Sequence, residues 1–130
     1  MPENNVPVAE AAIRDAFEVG KAAWNRGDID TYLDGFWPSE KTRWVSGGTV
    51  IEGREAIVSA YTARFASAEN MGTLQLTRLD IDMLTETDAL AFGKLLHTLN
   101  DVTRELVFTV HLRKAGEGWL IVSDHTSANA

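Results

Sequence analysis

Apolar positions in the first part of the chain recur at three- and four-residue steps. Ile13, Ala16, Phe17, Gly20, Ala23 and Trp24 share one side of a helix wound at 3.6 residues per turn, which predicts an amphipathic helix over residues 8–24. Asn25-Arg26-Gly27-Asp28 then acts as stop and restart: Gly27 can take the left-handed conformation that closes a helix, and Asp28 can cap the next. The second helix is short, with Tyr32, Leu33 and Phe36 on its buried side, and Pro38 bars its continuation past Trp37. Residues 42–46 and 49–52 read as a hairpin about the turn Gly47-Gly48. Gly53 ends it, and a third helix follows over 54–65 with Ile57, Ala60, Tyr61 and Phe65 at core spacing. The polar stretch 67–72 is a loop.

From residue 73 the period falls to two. Along 73–84 the apolar positions begin as Leu74 and Leu76 and continue as Leu79, Ile81 and Met83, a change of parity. Side chains alternate strictly across a strand, so this change predicts a bulge near Thr77-Arg78. Three more strands are predicted over 89–99, 105–113 and 119–127, joined by Asn100-Asp101 and Gly116-Glu117-Gly118 as tight hairpins require. The fold class is therefore α+β: three helices in the N-terminal half packed in a strongly curved, mostly antiparallel sheet. Leu106, Val107, Phe108 and Val110 are apolar on both parities, more than a sheet with one wet face needs. That excess predicts a homodimer through the outer sheet face.

Composition narrows the class of function. With 130 residues, 45% hydrophobic and 24% charged, the chain has the balance of one folded domain over 1–130, with 1–6 expected as a flexible tail. Nineteen acidic residues against twelve basic ones give a net charge of -7, and the basic residues form no run, so neither nucleic acid nor membrane is expected as a partner. There is no cysteine, which removes disulfides, thiol nucleophiles and thiolate metal sites. Met1-Pro2-Glu3-Asn4-Asn5 lacks the basic start and apolar stretch of a signal peptide, so a cytoplasmic location is expected.

Three segments carry a family likeness. Trp24-Asn25-Arg26-Gly27-Asp28 with Tyr32, the run from Gly47-Gly48 through Gly53-Arg54-Glu55-Ala56-Ile57, and the ending Gly118-Trp119 through Asp124-His125-Thr126-Ser127 resemble, in this order, SnoaL-like proteins of the nuclear transport factor two superfamily. The resemblance covers nearly the whole chain. It implies a cystatin-like cone in which a curved sheet wraps the helices around a deep apolar cavity. Its members include ketosteroid isomerase-like enzymes, polyketide cyclases and dehydratases. A further relative is the association domain of the calcium/calmodulin-dependent protein kinase, which serves assembly. A shell with such varied tenants does not fix a function.

The candidate chemistry starts with three evenly spaced histidines, His97, His111 and His125. Hairpin geometry puts His97 and His125 about 10 Å apart across the middle strand, too far to share a zinc with ligands at about 2 Å, so no metal and no cofactor is expected. Asp124 and His125 are neighbours on a strand and must face opposite sides. Parity groups Trp119, Ile121, Ser123 and His125 on one face unless a bulge intervenes, which nominates His125 as the base and Tyr32 as the second catalytic group. The plainer alternative is that His125 only steadies the strand end. Trp24, Trp44 and Tyr61 are the expected remainder of the pocket wall, although large aromatics are more often core. Arg43, beside Trp44, is a candidate contact for an anion, against an ordinary surface role. No phosphate loop, GxSxG elbow or dinucleotide fingerprint is present, and no catalytic residue carries over from the isomerases.

The expected function is a small-molecule pocket protein, of isomerase, cyclase or dehydratase type, acting on an apolar or polyketide-like substrate. The alternatives are a non-catalytic carrier or sensor and an oligomerisation module. An enzyme should bring a polar pair together in the cavity, a carrier one orienting donor, and an assembly module a poorly sealed pocket.

Overall fold

The longest helical period becomes the longest helix. In the computed structural model, which describes residues 5–128, α1 spans Asn5–Asn25 and buries Ile13, Ala23 and Trp24. It starts before residue 8 because Pro7 lies in the first turn, where its missing N–H has no intrahelical acceptor to lose. Asn5 and Val6, expected in the tail, are thus helical; the rest of that expectation lies outside the described residues. α2 (Ile29–Leu33) is capped by Asp28, whose carboxylate accepts from Thr31 N at 3.1 Å and Thr31 Oγ1 at 2.6 Å. It ends short of Trp37. The backbone from Gly35 to Trp37 instead bonds to Ile121 in both directions, at 2.8 Å each, and a sheet edge has displaced the last helical turn. α3 covers Arg54–Arg64 after Gly53, whose φ of 93° requires glycine or strain.

Six strands follow as β1 (Arg43–Ser46), β2 (Thr49–Glu52), β3 (Thr73–Met83), β4 (Asp88–Leu99), β5 (Val102–Ala115) and β6 (Gly118–Ala128). They form one sheet in the order β2-β1-β6-β5-β4-β3, antiparallel except for the β1–β6 pair. The loop between α3 and β3 holds a short 3-10 turn, Ala68–Asn70. At the β4–β5 hairpin, Asn100 and Asp101 both have positive φ, 51° and 64°, the backbone of a two-residue turn that matches strand twist. β5 therefore begins sooner than residue 105.

Two bulges curve the sheet. Thr77 is the extra residue between the pairs Leu76↔Leu95 and Arg78↔Lys94, where the change of apolar parity predicts it. Val122 is the second, left over between His111↔Ser123 and Leu112↔Ile121. Curvature also needs Gly93 on β4. A Cβ there would collide with the Phe108 ring and lie 2.5 Å from the carbonyl oxygen of Arg78, so only glycine lets the ring fold down over the strand.

The helices cover the concave face. Ile13 packs with Ala89, Ala91, Phe108, Val110, Leu112 and Trp119, while Leu33, Phe36 and Ile57 form a second cluster toward α3. Ile121 touches both clusters, and a cavity opens beside it. Among the described residues, no helix is long and apolar enough to cross a membrane.

Candidate functional site

The cavity measures about 480 Å³, within the range of sites that enclose small organic ligands. Its floor is the middle of the sheet, from Phe108 and Val110 on β5 to Ile121 and Asp124 on β6. Its roof is aromatic. Tyr61 of α3 stands at the centre of this roof, with ring centroids 5.7 Å from Tyr32, Trp44 and Phe65 and 6.2 Å from Trp24. Trp24 is fixed from α1 by edge-to-face packing on Tyr32 and Phe65, each at 4.9 Å, and by its indole N–H donating to the carbonyl of Met71 at 3.0 Å. The same carbonyl lies 2.7 Å from His97 Nε2. A carbonyl only accepts, so Nε2 carries the proton and His97 serves to hold the chain at Met71.

Asp124 is the polar centre. It is only 7% exposed, in the middle of the sheet, paired with Val110 on one side and Trp44 on the other. The Thr126 hydroxyl donates to Asp124 Oδ1 at 2.6 Å. The second carboxylate oxygen has no partner among the described residues and is not sealed in, so it faces the cavity. Burial pushes the carboxyl up to about 6, against smaller opposing effects of the Thr126 hydrogen bond and of His125.

Tyr32 and Tyr61 respond to the same surroundings. Burial raises both phenols, and the charge of Asp124 raises each further. They stay protonated across the physiological range and act as neutral donors. The indole of Trp44 and the hydroxyls of Tyr61 and Tyr32 lie close together. The cavity thus brings one carboxyl and two phenols to one apolar space.

The sequence expectations fare unevenly against this geometry. Trp24, Tyr32, Trp44 and Tyr61 all line the cavity. His125 does not: it is exposed on the opposite face, and this corrects its nomination as the base. The cause is the bulge at Val122. The extra residue shifts the phase of β6, so Trp119 and Ile121 share their face with Asp124 and Thr126 rather than with Ser123 and His125. The histidines are dispersed, since His111 bonds to Asp88 Oδ1 at 2.8 Å and His97 to Met71. Arg43 is exposed and outside the cavity wall. Two other arginines, Arg64 and Arg104, line it instead, and no periodicity in the sequence marks them.

Comparison with known proteins agrees with this architecture. The family model described as a SnoaL-like domain matches residues 13–130. An NTF2-like protein of unknown function from Shewanella oneidensis is 30% identical, with a TM-score of 0.86 over 91% of this chain and 98% of its own. A protein of unknown function from the DUF3225 family of Pectobacterium atrosepticum is 25% identical, with a TM-score of 0.78 over 100% of this chain and 98% of its own. A proposed dehydratase of the NTF2-like family from Streptomyces avermitilis shares the fold at 20% identity, with a TM-score of 0.75 over 95% of this chain and 99% of its own. No curated protein matches the chain.

Proposed function

The chain belongs to the SnoaL-like family, and on that premise we propose that it is an enzyme that moves a proton on a small apolar carbonyl compound, an isomerisation or dehydration carried by Asp124. The observation that supports this reading is the carboxyl itself. A carboxyl raised to about 6, with one oxygen free toward an apolar space, is ionised at neutrality yet basic enough to take a proton from carbon and return it elsewhere. The phenols of Tyr32 and Tyr61 supply hydrogen bonds to the oxygen that gains charge when an enolate forms. In an isomerisation, the α C–H bond breaks to Asp124, the double bond shifts, and the same proton is delivered to the γ carbon. In a dehydration, the α C–H bond breaks to Asp124, the α,β double bond forms as the β C–O bond breaks, and Asp124 gives that proton to the departing hydroxyl, which leaves as water. A carrier needs one orienting donor; three convergent polar groups in an apolar cavity favour chemistry.

A bicyclic β,γ-unsaturated ketone tests the reading, with formation of its conjugated α,β-unsaturated isomer followed by ultraviolet absorbance. The base is the ionised carboxylate, so the rate is expected to rise through one ionisation near pH 6 and level off above it. A profile that is flat or falling from pH 5 to 8, or no conjugated product above the buffer rate, would sink it.

The outer sheet face supports a second element of the proposal, a homodimer. Leu90, Phe92, Leu96 and Val107 lie on the side of β4 and β5 away from the helices, and Leu90 is 36% exposed. Stable interfaces of this kind bury about 2,000 Å² or more in total. Light scattering at micromolar concentration is expected to give the mass of two chains. The mass of one chain excludes the dimer.

A further inference from the structure

The charges around the cavity run against those of the whole protein. Acidic residues outnumber basic ones in the chain, nineteen to twelve, yet the charged side chains lining the cavity are Lys21, Arg64, Arg104 and the buried Asp124. Lys21 is engaged by Glu18 at 2.9 Å. The arginines are different. Neither Arg64 nor Arg104 forms an ion pair or side-chain hydrogen bond among the described residues, although other arginines here do so with Asp28, Asp34, Asp80 and Asp88. Both are exposed and also form part of the wall, which places them at the opening.

A continuous run of contacts joins them along the cavity wall. Arg64 ends α3 and lies over the Phe65 ring at 5.2 Å, and Phe65 packs on Trp24. Trp24 and His97 meet at the Met71 carbonyl, and His97 is paired across the strands with Arg104. Resting on the reading of the cavity as an apolar-ligand site, we propose that the ligand is an amphipathic acid. Its carboxylate is held at the mouth by Arg64 and Arg104, and its apolar body reaches inward to Asp124. Guanidinium groups match a carboxylate in shape and charge, and the phenyl face beneath Arg64 limits its freedom.

Geometry sets the length of this ligand. Arg104 lies six residues along β5 from Val110, the partner of Asp124, a strand distance of about 20 Å before the arginine's own reach is subtracted. The anionic group and the reacting carbon therefore sit at opposite ends of an elongated molecule. Separation also keeps the carboxylate of the ligand from adding much to the cost of ionising Asp124.

Pyrenebutyrate and pyrenebutanol, matched in their apolar part, provide the test through energy transfer from the tryptophans. The full chain is expected to bind the acid about tenfold more tightly than the alcohol at pH 7.5, with the preference shrinking as salt is raised. In the double variant Arg64→Gln, Arg104→Gln, the acid should fall to the affinity of the alcohol while the alcohol is unchanged, which also shows that the variant is folded. Equal affinity for acid and alcohol in the parent overturns the anion site and leaves the apolar cavity reading standing. Binding of neither probe overturns both.

Discussion

An Asp124→Asn variant is expected to lose about 10²- to 10⁴-fold of the isomerisation rate and yet to be more stable than the parent at pH 8. The ordinary value of this carboxyl, 3.8, is raised to about 6 by burial in the fold. A raised carboxyl is one whose proton the native state holds more tightly, so its contribution to stability is complete below pH 3.8. It is lost as pH rises through 6, because ionising the group then costs the fold more than the unfolded chain. The gap of about two pKa units corresponds to about 3 kcal/mol. Asparagine keeps an oxygen to accept from Thr126 and carries no charge, so it removes this cost. Denaturant melts of both proteins at pH 3.5 and pH 8 check the sign: near equality at the lower pH and a more stable variant at the higher one. A variant weaker than the parent at pH 8 would make Asp124 a structural group and remove it as the proton carrier.

A carboxyl that costs stability where it ionises favours the proposed chemical role over a folding one. The sheet could seat a neutral residue at position 124. Instead the backbone spends a bulge at Val122 to turn an aspartate inward.

That bulge marks the limit of what the sequence displays. The bulge at Thr77 is legible because apolar residues lie on both sides of it, Leu74 and Leu76 before and Leu79, Ile81 and Met83 after, so a shift of phase shows as a shift of parity. On β6 the apolar signal stops just where the phase changes. Trp119 and Ile121 define one face, but residues 123–127 are Ser, Asp, His, Thr and Ser, all polar on both parities. Nothing in hydropathy separates Asp124 from His125 there. What decides it is tertiary: residues 35–37 bridge to Ile121, β1 begins its pairing at Ser123, and Val122 is left between the two segments. The early end of α2 has the same origin. Helices, hairpins and the aromatic wall follow from local pattern, and so Trp24, Tyr32, Trp44 and Tyr61 were within its reach. Arg64 and Arg104 come from elements far apart in the chain, and only folding sets them on one opening.

Trp24 joins the two kinds of information, and its removal is expected to have the largest effect on the fold. It is 5% exposed, and its ring packs on Tyr32, Tyr61 and Phe65. Its N–H satisfies the Met71 carbonyl, which ties α1 to the residues leading into β3. Trp24→Ala removes a buried indole and this tie together, a loss of about 3–5 kcal/mol by the cost of such truncations. Trp24→Phe keeps most of the ring packing and loses the hydrogen bond, for about 1 kcal/mol from that bond plus the smaller loss of ring area. His97 Nε2 still donates to Met71 in both variants, so the carbonyl is not orphaned and the difference between them reports packing. Chemical denaturation of the parent and the two variants measures the series. If alanine proves no worse than phenylalanine, the aromatic roof is a loose lining without weight in the core. If alanine alone collapses stability, the wall that bounds the cavity is also what holds α1 to the sheet, and the site cannot be widened at Trp24 without loosening the fold.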